Sequence, residues 1–315
     1  MTMDEIDIRI IQELIPQPRA TYRELADRLD LSVNAVHKRV QSLVELGIIK
    51  EFTVHLSQAA LPHVFVRVCG TSEAGRIDDT VERLGKNPGT AMIAVSSSNG
   101  LHVLGVLEDL SGLHRFVSFV AREAKIASPS VRLLDLPEPR ALPGASLTGL
   151  DYRIIASLLH DSRKSAVDVA AGLGVSARTV KRRIERMEKS RLIYYRVVFD
   201  HASLGGIFTL LDLYVRSGVK VEDAAALIRK KHSASLLEMR TFSTIPNNLT
   251  IDVWTRTAKE LNLLQESLQD EGIFEKVLPI FVYGVYHFGT WRDDYVLARA
   301  APQSPAGAPE KKISG

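Results

Sequence analysis

Displaced against itself by 144 positions, the sequence matches: "DIRII" at Asp7 falls on "DYRII" at Asp151, and "SVNAVHKRV" at Ser32 falls on "SARTVKRRI" at Ser176. "YRELADRLDLS" at Tyr22 and "AVDVAAGLGVS" at Ala166 lie in the same register, with no gap as far as the strands after residue 50. A repeat of this length is one folded unit used twice. Any face that one copy leaves uncovered therefore has a related face in the same chain to meet.

Each copy opens with three short helical patterns. Ile6, Ile10, Ile11 and Leu14 form an apolar stripe that Pro16 ends. "TYRE" at Thr21 is a capping box for a second helix, and "SAVD" at Ser165 repeats the cap chemistry. Asp30 and Gly174 stand at the break before the third helix, where both residue types tolerate turn geometry. The third helix turns Val36, Val40 and Leu43 inward, as Val180, Ile184 and Met187 are turned in the duplicate. Three helices with a tight second connection predict a helix-turn-helix. "IIKEFTVHL" from Ile48 and "LIYYRVVFD" from Leu192 then read as a wing hairpin or as a strand leading away.

The rest of each copy alternates strand, helix, strand, strand, helix, strand. "HVFVRV", "TAMIAVS", "LHVLGVL" and "SVRLLDL" supply the first set of strands, and "FTLLDLYV", "SLLEMRTFS", "NLTIDVW" and "FEKVLPIFVY" the second. That order predicts a ferredoxin-like βαββαβ domain with both helices on one sheet face, so the other face needs a partner sheet. The fold class expected is α+β: two winged helix-turn-helix domains, each followed by a ferredoxin-like domain, arranged as an internal pseudo-dimer. The expected boundaries are 1–56 and 57–136 for the first unit, a proline-rich linker over 137–148, 149–200 and 201–297 for the second unit, and a disordered tail over 298–315.

With 45% apolar residues the chain has enough material for real cores. No long uncharged apolar run suggests a membrane span, and the acidic start "MTMDEIDIRI" does not resemble a signal peptide. A cytoplasmic protein with no membrane partner is expected. The one cysteine, Cys69, sits in the apolar run "VFVRVC" and reads as a buried inert thiol. The histidines show no spacing that predicts a metal site, and no cofactor is expected.

The pattern Ser32-x3-Val36-x2-Arg39-Val40-x2-Leu43-x3-Gly47-Ile48-Ile49, followed by a ferredoxin-like domain, resembles the Lrp/AsnC family of transcription regulators from about Met3 to Tyr286. The second copy repeats it as Ser176, Val180, Arg183, Ile184, Met187 and Leu192-Ile193. The resemblance implies a DNA-binding regulator of transcription whose sensor domains pair face to face, here within one chain. It also leaves open a homodimer or a higher assembly.

With the apolar stripe buried, the third helix presents Asn34, His37, Lys38 and Gln41, and its duplicate presents Arg178, Lys181, Arg182 and Glu185. In a helix-turn-helix this face enters the major groove, where Asn and Gln suit adenine, Arg suits guanine and Glu suits the cytosine amine. The DNA-binding set expected is Ser32, Asn34, His37, Lys38, Arg39 and Gln41, with Ser176, Arg178, Thr179, Lys181, Arg182, Arg183, Glu185 and Arg186. Charge separates the two readers: three cations face two carboxylates over residues 32–52, whereas eight face two over 176–196. Most of the attraction to phosphate on double-stranded DNA is therefore expected at the second reader, and more of the sequence choice at the first. Arg191 replaces Gly47, where a left-handed residue would end the third helix, so the second of these helices is expected to end differently.

Family members that bind amino acids carry Gly-x-x-Asp in a sensor hairpin. Here Val103 follows Gly100 in the aspartate position, while Asn248 and Ile251 replace both residues in the second copy, with Asp252 one position off. Sensor domains used mainly for assembly are the expectation, and a small-molecule effector is left open. The alternative from another class is a siroheme decarboxylase-like enzyme on the same layout, for which the sequence offers His102 and Arg240 but no dense His-Tyr-Arg group.

Overall fold

The computed structural model describes residues 4–135, 142, 144–200 and 205–301. Its first unit runs α1 (Glu5–Leu14), α2 (Tyr22–Leu29), α3 (Val33–Glu45) and β1 (Ile49–Leu56), then β2 (Val64–Thr71), α4 (Ile77–Gly85), β3 (Thr90–Ser96), β4 (Gly100–Leu107), α5 (Leu113–Ala124) and β5 (Ser130–Asp135). The second runs α6 (Gly149–Leu158), α7 (Ala166–Leu173), α8 (Ala177–Lys189) and β6 (Ile193–Phe199), then β7 (Ile207–Val215), α9 (Val221–Lys231), β8 (Leu236–Phe242), β9 (Asn248–Thr255), α10 (Ala258–Asp270) and β10 (Phe274–His287). The helix α11 (Trp291–Ala300), which follows β10, has no counterpart in the first unit. This corrects the expectation of a tail beginning at residue 298, because the helix continues to Ala300; residues 302–315, like residues 137–141 and 143 of the expected linker, lie outside the described residues.

Local chemistry accounts for the helix ends. Thr21 and Glu24 form the reciprocal capping box of α2, and Asp4 with Asp7 and Thr148 with Asp151 do the same for α1 and α6. Asp30 and Gly174 take left-handed φ values of 56° and 65° at the turn before α3 and α8. The end of α8 departs from the sequence expectation. Arg191 adopts φ 57° where Gly47 adopts 69°, and the closing bonds match: Ile48 N donates to Leu43 O at 2.9 Å and Leu192 N to Met187 O at 2.9 Å. The turn is kept although a non-glycine residue costs about 1–2 kcal/mol there.

After each third helix the chain forms a single strand that leads away, and β1 pairs antiparallel with β6 from Ile49↔Phe199 to Leu56↔Ile193. The exchange is reciprocal. Val197 and Phe199 of β6 bury into the core of the first three-helix unit, while Val54 and Leu56 of β1 bury into that of the second. The four-stranded sheets, each in ferredoxin order, join at both edges through β3–β10 and β5–β8 into one closed eight-stranded barrel. Helices α4 and α5 cover one outer face, where Val66, Val68, Val103 and Phe116 are buried; α9 and α10 cover the other, over Leu211, Leu213, Leu249 and Ile251. Each sheet's remaining face is turned to the barrel interior. The partner sheet that the sequence required is supplied by edge pairing as well as apposition.

The interior sets buried charges beside apolar side chains such as Phe208, Leu210 and Val282. Asp212 meets Arg132 at 2.8 Å and Arg67 at 3.4 Å, and Arg240 clamps Asp252 through two bonds of 2.6 and 2.7 Å. Burial first, and then Arg67, depresses the His102 imidazole to about 4, so it is neutral at pH 7. Cys69 is a buried free thiol whose ionisation burial pushes up.

Candidate nucleic-acid interface

Helices α3 and α8 begin alike. Ser32 accepts from Ala35 N at 3.2 Å and Ser176 from Thr179 N at 3.1 Å, so both hydroxyls are helix caps. Val36, Val40 and Leu43 are buried on α3, as are Val180, Ile184 and Met187 on α8. That leaves Asn34, Lys38 and Gln41 exposed on the first helix and Arg178, Lys181, Arg182 and Glu185 on the second. His37 is half-buried edge-on against Tyr22, with ring centroids 4.8 Å apart, and Thr179 is half-buried beside the Ser176 hydroxyl at 2.9 Å.

The other three expected contact residues are turned back onto their own domains, which corrects the charge count made from sequence. Arg39 reaches Asp4 at 2.9 Å and Asp7 at 2.7 Å. Its duplicate Arg183 reaches Asp151 at 3.0 Å, and Arg186 reaches the same carboxylate at 2.7 Å. Arg191 and Arg196, also counted, line a cleft behind the helix-turn-helix units. Of the eight cations over 176–196, Arg178, Lys181 and Arg182 stand exposed early on the reading helix and Lys189 at its last residue, each without an ion-pair partner among the described residues.

Asp7 and Asp151 were not singled out from the sequence, although the repeat of "DIRII" in "DYRII", set against Arg39 and Arg183 at the same spacing, carries the signal. Each anchors the third helix to the first. Asp151 is fully buried. Burial alone would raise its carboxyl, but the bonds from Thr148 and the charges of Arg183 and Arg186 outweigh that and hold it below the usual range. A depressed folded-state value means stabilisation that is present above the unfolded pKa and lost as pH falls through the folded one. Asp151→Asn is expected to cost roughly 2–3 kcal/mol at pH 7, below the range for wholly buried pairs because both guanidiniums are partly exposed. Melts of both proteins from pH 7 to pH 3 check this: the gap should close in acid, and a pH-independent gap would reject the charge account.

The two readers are tied together. Besides the β1–β6 ribbon, Arg163 donates to Pro18 O at 3.1 Å and Ala20 O at 2.8 Å, and its guanidinium lies 5.0 Å from the Tyr22 and Phe52 ring centroids. Ser162 N donates to Phe52 O at 2.7 Å. Both readers are also docked on the barrel side: Gln12 Nε2 donates to Ala234 O at 2.9 Å, and α11 covers α6 with Val296 in the shared core.

This architecture meets two family descriptions. A winged helix-turn-helix DNA-binding model matches residues 3–50, and an AsnC-type helix-turn-helix model matches residues 147–188. A helix-turn-helix-type transcriptional regulator of Pyrococcus furiosus is 27% identical over 122 residues, which is 38% of this chain and 82% of that one. The Bacillus subtilis regulator LrpC is 41% identical over 61 residues, 19% of this chain and 42% of its own. Among solved structures, the siroheme decarboxylase NirDL shares the fold over 94% of this chain and 98% of its own, with a TM-score of 0.58 and 14% identity. Two helix-turn-helix reading units on a shared scaffold, the second of the AsnC type, make this a helix-turn-helix DNA-binding protein. It is similar to the Lrp/AsnC regulators, with the helix-turn-helix present twice in one polypeptide. No helix among the described residues is long and apolar enough to cross a membrane.

Proposed function

We propose that the chain is a transcriptional regulator that binds double-stranded DNA sequence-specifically through α3 and α8, acting from the cytoplasm. One observation carries the reading: two duplicated third helices, locked in place by the same Asp–Arg anchor, expose unlike polar faces. Asn34 and Gln41 offer amide edges suited to adenine, and Arg178 and Arg182 offer guanidiniums suited to guanine or phosphate. Ser32, His37 and Thr179 border these faces, Lys38, Lys181 and Glu185 complete them, and Arg39, Arg183 and Arg186 hold the helices to the domain body. Unequal readers in one chain imply an asymmetric site, because half-site symmetry mirrors protein symmetry.

Selection of bound duplexes from a random pool at low ionic strength tests this. One enriched, non-palindromic motif is expected, and equal retention of all sequences would end the sequence-specific reading. Asn34→Ala with Gln41→Ala should flatten preference at a few base pairs, at roughly 1–3 kcal/mol per lost pair, while leaving the salt slope unchanged. The barrel serves assembly: it holds the readers and leaves further self-association to its outer surfaces.

The fold shared with a siroheme decarboxylase, together with a large cleft beside the barrel, favours a second reading as a tetrapyrrole enzyme. Against it, Arg240 is already clamped by Asp252 and Glu238, and burial holds the His102 imidazole neutral. A tetrapyrrole absorbance band in purified protein would favour that second reading.

A further inference from the structure

The pseudo-two-fold arrangement is broken at one place. Helix α6, which opens the second unit, is covered by α11: Tyr295 packs edge-on to Tyr152 with centroids 6.2 Å apart, and Arg299 lies over both rings. Its duplicate α1 has no such cover, and instead lines a cleft of about 1350 Å³ with β6, β8 and the barrel wall. The extra C-terminal helix thus fills one of two related grooves and leaves the other open.

The open groove has a definite chemistry. Its apolar wall includes Met92, Leu104, Leu134, Leu237, Met239 and Trp254. Its carboxylates are already engaged: Glu5 with Arg256 at 2.7 Å, Glu13 with Arg28 at 3.1 Å, Glu188 with Arg19 at 3.6 Å, Glu238 with Arg240, and Glu260 with Arg256 N at 2.8 Å. Arg9, Arg191 and Arg229 line the same cleft and have no ion-pair partner among the described residues. Arg191 is also the residue held in the left-handed conformation that Gly47 occupies in the duplicate. Arg191 keeps this conformation, unfavourable for a non-glycine residue, while standing exposed at the cleft.

We propose that this cleft binds a polyanionic amphiphile, with its apolar body on the leucine and methionine wall and its phosphate or carboxylate groups on Arg9, Arg191 and Arg229. The volume exceeds that of common drug-sized sites and suits a molecule the size of a long-chain acyl thioester of coenzyme A. Since α1 is both a wall of the cleft and part of the first reader, occupancy shifts DNA affinity; this consequence, unlike the binding, rests on the DNA-binding reading.

Calorimetry on the full chain tests the site. Oleoyl-coenzyme A should bind saturably at one site per chain, and coenzyme A alone or octyl glucoside about tenfold more weakly or not at all, since each lacks half of the recognition. Arg191→Gly carries the residue found in the duplicate and relieves the positive φ, so it should fold at least as stably as the parent while losing about tenfold in affinity. Arg229→Gln should weaken binding similarly. Absence of saturable oleoyl-coenzyme A binding, equal binding of coenzyme A alone, or undiminished binding by both variants overturns the proposal. Failure of the protein to bind any duplex would strike the DNA reading only, because the calorimetric result does not depend on DNA.

Discussion

Exchange of Arg178, Lys181 and Arg182 together for glutamine is expected to weaken duplex binding by about two orders of magnitude near 0.1 M salt. The same variant should lower the log–log salt slope by about 2–3, since each phosphate neutralised contributes about 0.9. With Lys189 at the helix end, these are the exposed cations of α8 that have no ion partner among the described residues. A matched variant, Arg183→Gln with Arg186→Gln, should act differently: both guanidiniums already neutralise Asp151, so their loss appears mainly as lower thermal stability. Anisotropy titrations across a salt series, with thermal melts of each protein, separate the two effects. Equal slope changes in the two variants would defeat the division between reading and anchoring cations.

Asp212→Ala is expected to destabilise the chain by about 3–5 kcal/mol, the range for removing one partner of a buried ion pair. Asp212 is the shared counter-ion of Arg67 and Arg132, whose residues are 5% and 9% exposed inside the barrel. Burial alone would raise its carboxyl, but the two arginines outweigh that and hold it below its ordinary value. It therefore stabilises the chain above the usual carboxylate pKa and loses this contribution as acid titrates it. Without it, two guanidiniums are left in a closed interior with no opposing charge of their own. Denaturant unfolding checks the size of the effect, and a loss below about 1 kcal/mol would mean that water or Asp252 takes over the role. Changing Asp212 to Leu with Arg67 and Arg132 to Met should recover much of the loss, because an apolar core of similar volume replaces a buried triad at little cost.

The local features were legible because each rests on near neighbours in the chain. The caps at Thr21, Ser32, Ser165 and Ser176 and the inward stripes of α3 and α8 follow from spacing over a few residues. So does the displacement of Asp252 from the position of a ligand aspartate: it lies in the interior with Arg240, while Ile251 faces the helices. The anchors were harder to see, since Arg39 and Asp7 are 32 residues apart and neither is unusual in composition. The end of α8 keeps the turn against the strain at Arg191 because two bonds sustain it, Leu192 N to Met187 O and the Ser57 hydroxyl donating to Arg191 O at 2.7 Å. Ser57 belongs to the other copy, so no local reading could have included it.

The amino-acid order alone settled the duplication, the three-helix reader and the strand–helix alternation of each unit, because periodicity and capping are short-range and survive in any context. Which strands meet is another matter. The β1–β6 exchange, the closure of two sheets into a barrel, the retreat of three arginines from the reading face and the covering of one groove by α11 all join residues distant in sequence. Such contacts depend on desolvation and packing between whole surfaces, and those exist only once the copies have docked.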